Sequence, residues 1–295
     1  MKDYENAVQL NGVCKERFGV LKNVSFCVPK GTIAALIGAN GAGKTTILRV
    51  LTGIAAWNEG EISLFGDKCS GEDAEAKARM GVMLDDIPYG DVFTAGEIGE
   101  IFREIFPNWS DEKYADCLAD FDIAKCKKIK EMSKGAKQKL QLACAMSHEA
   151  ELLVLDEPTA NLDPAARERV MRRLMEYMQD GERSILLTTN SPSEIAQYID
   201  HVTLLREGSI LFSAEKNSVL DAYGILMCGT DETDKIDAAD YVGRRLSRFG
   251  AEMLVTDRAL AQKRYPGVQI EPATLDDIMI FYTDYAKKGE RENYV

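Results

Sequence analysis

Gly38-Ala39-Asn40-Gly41-Ala42-Gly43-Lys44-Thr45-Thr46 is the stretch whose reading decides the fold. Before it, Ile33 to Ile37 is an aliphatic run that reads as a buried parallel strand. After it, Ile47, Leu48, Val50 and Leu51 recur at helical spacing. The pattern G-x-x-x-x-G-K-[ST] is therefore complete in the strand–loop–helix setting that a phosphate-binding loop requires. Gly38, Gly41 and Gly43, with Asn40 between them, let the backbone wrap so that successive N–H groups face a polyphosphate. The helix that opens at Lys44, Thr45 and Thr46 adds the partial positive charge of its N-terminus. Lys44 is placed to reach the β- and γ-phosphates, and the Thr45 hydroxyl to ligate Mg²⁺. The chain is expected to bind a nucleoside triphosphate.

Working outward, 295 residues suit one large domain and a smaller one, and 45% hydrophobic residues argue against global disorder. A net charge of −12 argues against nucleic acid as the main partner, because a phosphate backbone needs a basic face. The seven cysteines are scattered and lack C-x-x-C spacing, so they read as free thiols rather than bridges or zinc ligands. The first residues show no signal-peptide apolar core, and no apolar run reaches the ~18 residues of a membrane span. A transport role would put the pore in another chain.

Residues 6–29 alternate apolar and polar positions and are expected to form an antiparallel layer, with Lys22-Asn23 at its turn. Phe18 in this layer is a candidate to stack on a purine, or else an ordinary core or edge residue. Glu61 to Gly66 reads as a strand and turn, Ala74 to Met80 as a helix, and Gly81 to Leu84 as a strand that ends at Asp85. Asp85 sits where a strand end meets the phosphate crevice of an open α/β sheet, so its carboxylate is a candidate to contact Mg²⁺ or the attacking water; the alternative is a solvated loop acid. From about Ile87 to Glu151 the pattern turns helical. Thr94 with Glu97 makes a capping box before an apolar face of Ile98, Ile101, Phe102 and Ile105, and Ser110 caps a second helix. A third helix starts near Lys134.

Leu152-Leu153-Val154-Leu155-Asp156-Glu157-Pro158 is a buried strand that delivers two acids at its C-terminal end. Asp156 suits the Mg²⁺ shell beside Thr45, and Glu157 suits polarising the attacking water. Asp163-Pro164 is a helix start, and the strand Ser184 to Thr189 ends at Asn190. Val202–Leu205 and Ser209–Phe212 form a hairpin around Glu207-Gly208.

This ordered set resembles the nucleotide-binding subunit of ABC transporters over about residues 6–215. Ser133-Lys134-Gly135-Ala136-Lys137-Gln138 resembles the family's signature, 156 − 133 = 23 residues before Asp156. The resemblance implies that Ser133 and the Gly135 amide contact the γ-phosphate of ATP held by an opposing subunit; alone, the segment reads as a helix start with an anion site. Asn161-Leu162-Asp163 looks like the family's D-loop, and Asp163 equally serves as the helix cap. The expected architecture is an α/β P-loop NTPase core with an antiparallel β layer (1–86 and 151–215), a helical signature subdomain (87–150) and a small C-terminal α/β appendage (216–295). The appendage resembles that of exporter-type subunits that pair with a separate permease.

Two positions depart from the family pattern. Asp85 stands where Gln is usual and Asn190 where His is usual, so Glu157, Asn190 and Asp85 form the expected catalytic set with hydrolysis in question. What the resemblance implies is an ATP- and Mg²⁺-dependent ATPase that dimerises with itself or a sibling and energises a separate membrane permease. That places it on the cytoplasmic face of the membrane, exporting a drug, peptide or lipid-like molecule. The alternative is a soluble ATP-gated switch of the same type with attenuated hydrolysis.

Overall fold

The computed structural model describes residues 4–15, 20–71, 73–85, 89–248 and 250–286. Phe18 and the segment from Lys287 onward, expected to fray, lie outside the described residues. The central sheet has six strands in the order β10 (Ser209–Glu215), β9 (His201–Arg206), β3 (Ile33–Ile37), β8 (Ser184–Thr189), β7 (Leu152–Leu155) and β6 (Met80–Met83). Its neighbours pair in parallel except for β9 with β10, the expected hairpin.

Strand periodicity divides the core in two. In β3, Ile33, Ala35 and Ile37 face one cluster while Ala34 and Leu36 face the other. The Ala34 side packs against α1 (Lys44–Leu51), through Ile47, Leu48 and Leu51, and against the antiparallel layer of β1 (Asn6–Lys15), β2 (Leu21–Pro29), β4 (Glu59–Leu64) and β5 (Asp67–Lys68). The Ile33 side packs against α4 (Asp111–Asp120), α5 (Lys134–Met146) and α6 (Pro164–Tyr177). Both faces are covered, which is why β3, β7 and β8 are buried at every position.

The local boundaries follow from capping. Ser133 caps α5 by accepting from the Ala136 N–H at 3.2 Å, and Asp163 caps α6 from the Ala166 N–H at 2.9 Å. Thr94 and Glu97 close a capping box at the head of α3 (Ala95–Ile105). Three expectations need correction. Lys22 and Asn23 lie inside β2, not at the turn, with Asn23 left-handed (φ 52°) where the pairing with β1 shifts register. The helix expected over Ala74 to Met80 is the shorter α2 (Ala74–Ala78), because Met80 already pairs with Leu152. On α3 only Ile98 of the four expected apolar residues is fully buried; Ile105 is 60% exposed and Ile101 38%.

After residue 215 come α7 (Lys216–Ala222), β11 (Gly224–Cys228), β12 (Arg244–Ser247), β13 (Gly250–Val255), α8 (Arg258–Arg264), β14 (Gln269–Pro272) and α9 (Leu275–Ile280). The four strands form an antiparallel sheet ordered β12-β13-β11-β14. Alternation again sorts its side chains: Leu226, Met253 and Val255 make a local cluster, whereas Ile225 and Leu254 join the main core with Leu275, Ile278 and Phe281. The appendage is thus anchored by its inward face. All seven cysteines are free thiols.

Candidate nucleotide-binding site

The phosphate loop follows β3 and runs into α1 with Gly38 (φ 154°), Gly41 (φ 79°) and Gly43 (φ 112°) in conformations that disfavour a side chain. At Gly38 the restriction is also steric, since a Cβ would meet the Leu205 carbonyl oxygen at 2.3 Å. Lys44, only 6% exposed, folds back over this loop. Its Nζ donates to the Gly38 carbonyl at 2.6 Å and the Ala39 carbonyl at 3.2 Å. Burial holds the Lys44 ammonium below its ordinary pKa, opposed by the nearby Glu157 and Asp156 carboxylates. Lys44 therefore spans the loop from inside, with a third N–H left for an anion.

The strand ends of β7 and β8 supply the acids. Asp156 is buried, and each of its oxygens takes a hydroxyl: Oδ2 from Thr45 at 2.7 Å and Oδ1 from Thr188 at 2.6 Å. Thr188 also accepts the Glu157 backbone N–H at 2.9 Å, so one threonine orients both acids. Register explains the placement, because Leu155 pairs with Leu187 and the following residues lie side by side. Glu157 adopts a left-handed conformation (φ 47°), unusual for a residue with a Cβ and characteristic of strained functional positions. Burial pushes the Glu157 carboxyl up; Asp156 and Asp85 push the same way, while Lys44 and Lys134 oppose them.

These groups open onto a cleft of about 520 Å³ lined by Asn40, Thr45, Asp85, Asp156, Glu157 and Asn190, among others. The expected catalytic and metal-ligating residues are thus brought together. The Asn190 Nδ2 donates to Asn40 Oδ1 at 3.3 Å, which ties the end of β8 to the phosphate loop. Asp85 is 65% exposed and pairs with Lys134 at 3.6 Å. Of the signature stretch, Lys134 and Gln138 line this cleft, and Ser133 is exposed at the cap of α5. Gly135 lies against the loop before α6, where a Cβ would be 3.0 Å from Leu162 Cδ2. Sequence reading missed Thr188, Lys134, Arg167 and Glu194, all at or beside the cleft. Only Thr188 left a signal, a polar residue directly after the Ile185-Leu186-Leu187 run of a fully buried strand.

The donor set fits Mg²⁺. Thr45 Oγ1 and Asp156 Oδ2 are hard oxygens 2.7 Å apart beside the loop. Among the described residues no cluster of three or more acidic, His or Cys side chains forms a dedicated cage. Mg²⁺ favours such sparse protein ligation because it keeps water and substrate phosphates in its shell.

A sequence profile described as ABC transporter matches residues 21–160, and one described as AAA domain, putative AbiEii toxin, Type IV TA system, matches residues 128–196. Nod factor export ATP-binding protein I of Neorhizobium galegae is 33% identical over 286 residues, covering 90% of this chain and 80% of that one. ABC transporter ATP-binding protein YtrB of Bacillus subtilis is 30% identical, covering 69% and 70%. Against the Sinorhizobium fredii Nod factor export ATP-binding protein I, 31% identical, the match spans only 64% of that relative's length. Among solved structures, the "Structure of ATP binding subunit of ABC transporter" superposes with a TM-score of 0.66 at 24% identity, over 72% of this chain and 91% of that one. The "Dimeric structure of a post-hydrolysis state of the ATP-binding cassette MJ0796 bound to ADP and Pi" gives 0.63 at 20% identity, over 71% and 98%. At these identities the superpositions speak to fold.

Proposed function

The chain belongs to the ABC transporter family, and from that footing we propose that it is an ATP-hydrolysing subunit that dimerises on ATP and drives a separate membrane permease. The observation that carries the reading is the convergence of Thr45, Asp156 and Glu157 on one cleft beside the loop that Lys44 spans. The phosphate loop and Lys44 hold the triphosphate. Thr45 and Asp156 would hold Mg²⁺, whose charge neutralises that developing on the phosphates. Glu157 accepts a proton from the attacking water, a role helped by burial raising its carboxyl above the ordinary value. Ser133 and Gly135 lie at the exposed head of α5, suited to complete a second copy's site, with the 161–163 loop packed against Gly135.

A permease has a surface to hold. Val92 is 72% exposed just before α3, Phe93 is also exposed, and Ile101 and Ile105 are exposed apolar residues one turn apart on α3 itself. No helix among the described residues is long and apolar enough to cross a membrane. In the proposed machine the membrane-spanning part is the separate permease, with this chain on its cytoplasmic side. Export of a drug, peptide or lipid-like substrate is supported by the relatives named as export proteins and by the long match to one of them. Asn190, uncharged where the family usually titrates, favours a second reading as an ATP-gated switch that turns over slowly.

The test is nucleotide binding by the intact chain. Lys44→Ala removes a charged donor worth about 1.5–3 kcal/mol to an anion, so ATP affinity should fall about ten- to a hundredfold. Equilibrium titration with a fluorescent ATP analogue measures it, and unchanged affinity would refute the loop assignment. A second expectation concerns pH. Asp85 helps to raise the Glu157 carboxyl, so Asp85→Asn should move the acid limb of the hydrolysis profile to lower pH. Phosphate release followed between about pH 4 and 7 reads it, and a limb that stays put would remove Asp85 from the field of the base.

A further inference from the structure

The segment that follows Asn190 is gripped from two sides. Residues 191–195 leave the end of β8 with Pro192 and Ile195 buried. On one side, Glu194 pairs with Arg167 at 2.9 Å. Arg167 stands one turn into α6, its N–H bonded to the carbonyl of Asp163, and both partners of the pair line the nucleotide cleft together with Asn161. On the other side, α9 of the appendage packs directly against the turn Pro192–Glu194. Asp276 Oδ1 accepts from the Ser193 N–H at 3.4 Å, longer than the usual range. Packing is the firmer part of this grip, since Leu275 and Ile278 of α9 share one hydrophobic cluster with Ile195 and Ile199.

We propose that residues 191–195 are a mount fixed by Arg167 and by α9 with Asp276, through which the C-terminal appendage sets the position of Asn190 in the cleft and hence the rate of turnover. The proposal rests on the cleft being the ATP site. Asn190 is exposed, meets the phosphate loop through one 3.3 Å hydrogen bond and accepts from Ser191 Oγ at 3.5 Å, so its side chain is held only by long contacts. The backbone behind it sets its place. Displacing a reacting contact by about 1 Å can cost on the order of a hundredfold in rate, while the Arg167–Glu194 pair, with both partners partly exposed, adds little to overall stability. In this proposal Arg167, Glu194 and Asp276 are positioning residues that act through the loop they hold. The same mount joins the helix after the 161–163 loop to the appendage.

The experiment measures kcat for phosphate release and Kd for the fluorescent ATP analogue separately, on the full chain. Glu194→Gln and Asp276→Ala are each expected to lower kcat about tenfold or more while Kd changes by less than about twofold. The double reversal Arg167→Glu with Glu194→Arg is expected to recover most of the loss seen in Glu194→Gln, a rescue that generic destabilisation does not produce. Unchanged kcat in both single variants overturns the mount. So does a fall in kcat matched by an equal fall in affinity, or a double reversal no better than Glu194→Gln. Wild-type chain that neither binds the analogue nor releases phosphate would refute the ATP-site assignment itself, whereas wild-type turnover with unaffected single variants refutes the mount alone.

Discussion

Glu157→Gln is expected to lower ATP hydrolysis by about 10²–10⁴-fold and to leave ATP affinity nearly unchanged. Glutamine keeps the shape and the hydrogen-bonding reach of the side chain but cannot take a proton. The backbone around it is held independently, by the Thr188 hydroxyl on the Glu157 N–H, so the substitution should not disturb the loop. The phosphate cradle and the Thr45–Asp156 pair are also untouched. With binding intact and chemistry stopped, Mg·ATP should hold two copies closed, each supplying Ser133 and Gly135 to the other. Steady-state phosphate release gives the rate, and size-exclusion chromatography with and without Mg·ATP gives the dimer. Hydrolysis within a few-fold of wild type would move the base elsewhere, Asp85 first. A monomeric profile under both conditions would count against a site shared between copies.

The wild-type rate should carry the mark of the same carboxylate. Burial raises the Glu157 pKa, so its base form is lost at a higher pH than for an exposed glutamate, and activity falls on the acid side accordingly. In Glu157→Gln that acid limb should vanish along with the rate.

What could be read before any coordinates were known follows from which interactions are local. A phosphate loop is specified by adjacent residues, and the caps at Thr94, Ser110, Ser133 and Asp163 each lie within a few residues of the N–H groups they bind. Buried parallel strands announce themselves as aliphatic runs, so β3, β7 and β8 were legible. Register was not. Lys22-Asn23 looks like a turn because Asn tolerates a left-handed conformation, and Asn23 does adopt one, but at a register shift within β2. The exposure of Ile101 and Ile105 was hidden for a related reason: periodicity marks an apolar face without saying what covers it.

At the site the divide is the same. Asp156 and Glu157 end an apolar strand, and their meeting with Thr45, 111 residues away in the chain, follows from the rule that crevices form at strand C-termini. Thr188 escaped notice because its role depends on the pairing of β7 with β8, which no local pattern states. Arg167 and Glu194 belong to different elements and meet only through the packing of α6 beside the end of β8. The C-terminal part was expected as a small α/β appendage, and its composition gives no hint that Leu275 and Ile278 share a hydrophobic cluster with Ile195 and Ile199.

Asn190→His should raise turnover, by up to about 10²–10³-fold if the position faces the γ-phosphate, and should add a titration that the wild-type chain lacks. The geometry motivates it. Asn190 reaches the phosphate loop, its amide already donating to Asn40, but it offers only neutral N–H groups at every pH. A histidine there has a longer reach and, below its ordinary pKa near 6.5, a full positive charge to set against the charge developing on the phosphate. Asp85, Asp156, Glu157 and Glu194 line the same cleft against Lys134 and Arg167, and this excess of acids favours the imidazolium, so the charged form should persist to higher pH than in water. The sign is therefore definite: the gain over wild type should be largest on the acid side and shrink as pH rises past the pKa of the introduced imidazole. Acid also protonates Glu157, whose own pKa is raised, so the variant's profile should become a bell bounded below by Glu157 and above by proton loss from that imidazole. Steady-state phosphate release against pH, for wild type and Asn190→His side by side, decides the matter. Equal rates and superimposable profiles would show that residue 190 does not face the γ-phosphate, and the mount behind it would then be holding something other than a catalytic donor.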